Sequence, residues 1–92
     1  MRKDMKIYHD QLKTILTSEQ LGVFSTDRYS IIDFGYECVD CGEYKKAFQL
    51  FSIGVRINGY DPDILNGLGI TLCEMGRLRA SALILEKAIK MY

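Results

Sequence analysis

A 34-residue period runs through residues 28 to 92 and restricts the fold more than any other feature of the chain. Gly35 and Gly69 stand at that offset, as do Ile31 and Leu65, Phe34 and Leu68, Cys38 and Leu72, Gly42 and Gly76, and Tyr44 and Leu78. The match continues through Ala47 and Ser81, Leu50 and Ile84, Phe51 and Leu85, Gly54 and Ala88, and Val55 and Ile89. Pairs of like size or polarity at one fixed offset mean one supersecondary unit built twice, each copy needing the other to bury its apolar face.

Within each unit the spacing predicts helix, tight turn, helix. Ile31, Phe34, Gly35 and Cys38 recur at helical intervals, and Leu65, Leu68, Gly69 and Leu72 repeat them, which marks a first helix with a narrow apolar stripe. The glycines on that stripe let another helix approach closely. In CGEY and MGRL, Gly42 and Gly76 fall where a residue of positive φ ends one helix before the next begins, a conformation glycine adopts without steric cost. Ala47, Phe51 and Gly54, and then Ala82, Leu85, Ala88 and Ile89, supply the second helices, with small residues at the crossing and large ones beside it. Between the units, NGYDP supplies a stop at Asn58 and Gly59, a cap at Asp61 and a first-turn proline at Pro62.

These residues resemble the tetratricopeptide repeat, a helical hairpin of about 34 residues with a large residue, Leu-Gly, Tyr, Gly-x-Tyr, Ala, an aromatic and Ala in order. The first unit, residues 28–61, supplies Ile31, Phe34-Gly35, Cys38, Gly42-x-Tyr44, Ala47, Phe51 and Gly54. The second, residues 62–92, supplies Leu65, Leu68-Gly69, Leu72, Gly76-x-Leu78, Ser81, Leu85 and Ala88. Ile31 and Leu65 replace the usual tryptophan, Cys38 and Leu72 the tyrosine, and Ser81 the alanine. The resemblance implies an all-α fold, a two-repeat hairpin array preceded by an N-terminal helix, in one structural domain.

Composition narrows the function. The 92 residues carry twelve basic and twelve acidic side chains, for a formal net charge of +0, so no field gathers nucleic-acid phosphates or anionic lipid. No stretch approaches the roughly twenty apolar residues that span a bilayer, and MRKDMKIYHDQ lacks the apolar run of a secretory signal. Membrane insertion is not expected, and the chain reads as the start of a mature protein. Three cysteines without a disulfide-rich framework fit a reducing compartment, so the expected location is cytoplasmic. His9 is the single histidine, no phosphate-cradling glycine loop is present, and the acids are scattered. Neither an enzyme nor a cofactor is expected.

The stretch CVDCGEY raises one rival reading. Cys38, Cys41, Cys73 and His9 have the number of ligands a zinc site needs, but a second paired knuckle is missing, and no βαβ pattern surrounds the pair to suggest redox chemistry. The favoured reading makes Cys38 a small buried hydrophobe and Cys41 a helix-end residue. No metal is expected.

Residues 1–27 do not keep the period and read as an amphipathic helix with a connector. Met5, Tyr8, Leu12, Ile15 and Leu16 share one face, predicting a helix from Asp4 to Thr17 or Leu21. Gly22 to Asp27 then connects, with Ser25, Thr26 or Asp27 as cap. The helix is either a lid on the first repeat or a docking face for a partner, with Tyr8, Leu12, Ile15 and Leu16 as the candidates. At the other end, Leu83, Ile84, Leu85, Ala88, Ile89 and Met91 are too many for one inner stripe, so part of that set is expected to be exposed or covered by another chain.

In the tetratricopeptide family the first helix of each unit lines a concave groove. The resemblance assigns to it Ile32, Tyr36 and Val39 from the first unit and Asn66, Ile70 and Cys73 from the second. Most are apolar, unlike the basic clamp of members that hold an acidic peptide terminus, and an apolar groove suits an amphipathic helix. With its size and extra N-terminal helix, the chain looks like the small bacterial tetratricopeptide chaperones of type III secretion. Those hold the needle subunit together with a small helical co-chaperone. The resemblance implies that Ile32, Tyr36, Val39 and Ile70 bury the C-terminal helix of the needle subunit and prevent premature polymerisation. The co-chaperone would pack on the N-terminal helix and first repeat. A general protein-binding adaptor and a cysteine-based zinc or redox protein remain as alternatives.

Overall fold

Gly42 and Gly76 turn the chain at the ends of two helices, at φ 76° and 79°. At the first, the Gly42 N–H donates to the Val39 carbonyl at 3.0 Å and the Glu43 N–H to that of Cys38 at 2.8 Å. At the second, Gly76 donates to Cys73 at 3.0 Å and Arg77 to Leu72 at 2.9 Å. This paired pattern is the Schellman closure, which satisfies carbonyls that a helix end would otherwise leave bare. CVDCGEY is therefore a helix terminus.

The computed structural model describes residues 10–23 and 28–92, and among them every regular element is helical. A first helix, α1, covers residues 10–15 of that range. It is followed by α2 (Ser18–Val23), α3 (Arg28–Asp40), α4 (Tyr44–Asn58), α5 (Pro62–Glu74) and α6 (Leu78–Lys90). Helix α3 packs on α4 and α5 on α6, while α5 also touches α4 and α3. Two hairpins thus stack through α5, with the turns and the boundary where the 34-residue period puts them.

The core follows the glycines. Phe51 of α4 is fully buried, and its ring lies against Gly35 of α3 and Gly67 of α5. A Cβ added at either glycine would stand 2.4 Å and 2.5 Å, respectively, from the nearest ring atom. Ile31, Ala47, Ile64, Leu68 and Leu72 complete this cluster. Ser81, which departs from the alanine of the repeat pattern, is buried and donates its hydroxyl to the Gly69 carbonyl at 2.7 Å. That bond ties α6 to α5 and satisfies a polar group inside the core.

The N-terminal region differs from its expectation. Of the two expected ends, Thr17 is the nearer and Leu21 is not reached without a break: the helix stops at residue 15 and another starts at Ser18. The cause is the sequence TSEQ. Thr17 Oγ1 accepts the Gln20 N–H at 3.1 Å, and Gln20 Oε1 accepts the Thr17 N–H at 3.0 Å, the reciprocal capping box that begins a new helix. Leu12, Ile15 and Leu16 are at most 6% exposed and cluster with Leu50 and Ile53 of α4. The apolar surface of these three is used inside the protein, against α4 of the first repeat. Tyr8, Met5, His9 and the cap candidates Ser25, Thr26 and Asp27 lie outside the described residues.

Asp61 joins the two units. Its carboxylate accepts the N–H groups of Asp63 at 2.9 Å and Ile64 at 3.3 Å, capping α5, whose first residue is Pro62. It also accepts from Arg28 Nε at 2.5 Å, and Arg28 Nη2 reaches Asp63 at 2.5 Å. The Arg28 guanidinium, with smaller help from the two N–H groups, holds the Asp61 carboxyl below its ordinary value. A carboxyl depressed in the folded state contributes stability above its unfolded value near pH 4, and that contribution fades as pH falls through the folded value. Asp61→Ala is therefore expected to cost about 1–2 kcal/mol at pH 7. In urea titrations its gap to wild type should narrow as pH falls below the ordinary carboxyl value near 4 and through the lower folded one. A gap independent of pH would contradict an ionised cap.

Candidate protein-binding face

The six residues assigned to a groove lie on α3 and α5, which touch each other. Ile32, Tyr36 and Val39 are half-buried and pack at the edge of the Phe51 cluster. Tyr36 meets the Phe51 ring edge-on, with centroids 5.5 Å apart and planes at 74°. Its hydroxyl oxygen accepts from Asn66 Nδ2 at 3.2 Å, so the two rows are brought together across the α3–α5 contact. Ile70 is half-buried and Cys73 is exposed. This face is mostly apolar and partly wet. The row on α3 also supports the core, which the helical spacing alone did not reveal.

Arg28 fixes the end of this face. It bridges the start of α3 to Asp61 and Asp63 at the start of α5, and its guanidinium stands 5.1 Å from the Tyr29 ring centre. Bonding to the two carboxylates raises the Arg28 pKa above its ordinary value, so the guanidinium stays charged at any physiological pH. The Tyr92 hydroxyl also donates to Asp63. That bond raises the Tyr92 pKa, and it ties the end of the second hairpin back to its beginning.

The described part of the N-terminal region does not cover the groove residues. It packs on Leu50 and Ile53 with Phe34 and Ile57 around them, on a cluster separate from the one that Ile32, Tyr36 and Val39 adjoin. A cleft of about 350 Å³ lies between α1 and α4, bordered by Gln11, Thr14, Ile15, Phe48, Ser52 and Arg56. Its mixed walls lack any convergent set of catalytic groups.

Cys38, expected as a buried hydrophobe, lies in the last turn of α3 and is half-buried, and Cys41 sits just past the helix end. Burial, followed by the Glu43 carboxylate, pushes the Cys38 thiol above its ordinary value, which keeps it protonated and weakly nucleophilic. Cys41 and Cys73 are exposed and free. Among the described residues no three His, Cys, Asp or Glu side chains gather as a metal-holding group. No helix there is long and apolar enough to cross a membrane.

The second hairpin carries the apolar surplus anticipated at its end. Leu83, Ile89 and Met91 are 63%, 71% and 43% exposed, and Leu78, not anticipated, is 65% exposed. Ile84 and Leu85 are half-buried and Ala88 is buried. No protein-family model, curated protein or solved structure matches this chain.

Proposed function

We propose that the chain is a tetratricopeptide-like array that binds an amphipathic helix of another protein along the α3–α5 face. In the finer form of the proposal that helix is the C-terminal segment of a type III secretion needle subunit. It is kept from polymerising in the bacterial cytoplasm, with a small helical co-chaperone on the first repeat. The role is one of binding, not catalysis.

One observation carries the reading: an apolar row of Ile32, Tyr36, Val39 and Ile70 stays partly open to solvent, because the described N-terminal segment packs on α4 instead. An amphipathic helix laid there gains from the carbon area it removes from water. The finer form rests on the sequence resemblance set out above. The co-chaperone, in turn, has to use surface other than Leu12, Ile15 and Leu16, which α4 covers.

Ile70→Asp is the direct test. Ile70 lies outside both buried clusters, so a charge there leaves the hairpins intact, whereas Tyr36→Asp would also remove the ring that packs on Phe51. Co-expression of the chain with a needle subunit and co-chaperone should yield a ternary complex. Ile70→Asp should weaken its recovery at least about tenfold, because an unpaired carboxylate then lies beneath an apolar helix. Circular dichroism and melting temperature should stay near wild type. Undiminished capture by Ile70→Asp would remove the groove from the proposal, and no capture by wild type would remove the needle subunit.

A further inference from the structure

The 34-residue offset lets the two hairpins be compared position by position, and it isolates a surface on α6. On α4, Tyr44, Phe48 and Val55 are half-buried and Phe51 is fully buried. This stripe meets α5: the Phe51 ring lies on Gly67, and Phe48 and Val55 join the cluster that holds Ile64 and Leu68. The corresponding stripe on α6 is Leu78, Ala82, Leu85 and Ile89. There Leu78 and Ile89 are 65% and 71% exposed, Ala82 is exposed and Leu85 is half-buried over Gly69. The first hairpin has a helix across this face. Among the described residues, the second has the same face without one.

We propose that this stripe is a homodimer seam, in which α6 packs antiparallel on α6 of a second copy. Its residues are spaced four, three and four apart, the intervals at which two helices interlock along a seam. Each leucine of the stripe is followed by a charge of opposite sign, Arg79 after Leu78 and Glu86 after Leu85. Both charged residues are exposed. A two-fold axis between Ala82 and Leu85 sets Leu78 opposite Ile89 of the second copy and Ala82 opposite Leu85. It also puts Arg79 beside Glu86, every contact occurring twice. Parallel packing forms no such pair, because it brings Arg79 and Glu86 toward Ser81 and Ala88, which are buried at 3% and 1% exposure. This charge complementarity selects a second copy of the chain, and the net charge of +0 adds no long-range repulsion between copies. Glu86 already meets Lys90 at 3.2 Å, with both side chains largely exposed, and such a pair yields readily to a better placed partner. The seam shares no residue with the α3–α5 face, so it is independent of the function proposed above.

Four apolar residues per helix make a small interface, so the dimer is reversible, with dissociation expected at roughly 10–300 µM. Sedimentation equilibrium of the full chain from about 5 to 500 µM should show a mass rising above the 10.5 kDa monomer. Arg79→Glu and Glu86→Arg each replace the two symmetric attractions by repulsions and should each weaken association at least about tenfold. Mixed in equal amounts, the two variants should associate again, since every cross-copy pair is then of opposite sign. Circular dichroism of each variant should match wild type, both sites being exposed. A wild type monomeric throughout, as expected if a foreign helix is the natural cover, overturns the proposal. So does a mixture that stays monomeric while wild type dimerises, or single variants that dimerise as wild type does.

Discussion

Phe51→Ala is expected to lower the unfolding free energy by about 3–5 kcal/mol. The site explains why the upper part of that range applies. Phe51 is wholly buried, and Gly35 of one hairpin and Gly67 of the other both lie against its ring. A cavity is refilled only when neighbouring side chains swing into it, and a glycine has none to swing. Where the glycines lie, only the helices themselves could close, against the Arg28 bridge to Asp61 and Asp63 that spaces the starts of α3 and α5. A chain of 92 residues has a total stability of roughly 5–14 kcal/mol. The loss is therefore a large part of the whole, and a fall in melting temperature of about 15–30 °C follows. Urea titration followed by circular dichroism measures it. A cost below about 1 kcal/mol would mean that the two hairpins are not joined through this ring.

Phe51 also shows why so much of the fold was legible. Gly35, on which the ring lies, recurs as Gly69 at the 34-residue offset and was readable, whereas Gly67, whose counterpart is Asp33, carried no such signal. Gly42 and Gly76 were readable for the same kind of reason: positive φ at a helix end leaves few residue choices. Asp61 and Pro62 were readable because a cap and a first-turn proline are local signals. The break at Thr17 was equally local, written as TSEQ, but the apolar face running through Leu12, Ile15 and Leu16 hid it. Hydrophobic periodicity continues across a break whenever both segments face the same core.

The destination of that first helix was not legible. Periodicity says that Leu12, Ile15 and Leu16 share a face, and it is silent on what the face covers. The answer lies in α4, which is apolar on two sides: Phe51 turns toward α5 while Leu50 and Ile53 receive α1. The groove residues were only partly legible for a related reason. Tyr36 and Val39 border both solvent and the core, and a side chain can serve both at once. By contrast, the exposed Leu83 and Ile89 of α6 follow directly from counting, since α6 packs on α5 alone among the described helices and carries more apolar residues than that one face holds.

Gly67→Ala is expected to destabilise the protein by about 1–2 kcal/mol, although alanine is the better helix former by about 1 kcal/mol. The added methyl would stand 2.5 Å from two atoms of the Phe51 ring, a separation that real packing does not allow. The ring has little room to shift, because Gly35 also lies against it at a comparable distance. Overpacking of this kind costs about 1–3 kcal/mol and outweighs the gain in propensity. The 34-residue match suggests the remedy. The second hairpin carries Leu85 where the first has Phe51, so leucine is already a workable size for this position of the repeat. Phe51→Leu alone should cost about 1–2 kcal/mol through the space it leaves. In the double variant the alanine methyl occupies part of that space, so the combined cost should fall short of the sum by at least about 1 kcal/mol. Four urea titrations close the cycle. Additive costs, or a Gly67→Ala variant more stable than wild type, would show that the ring and the glycine are not in contact, and the joint between the two hairpins would have to lie elsewhere.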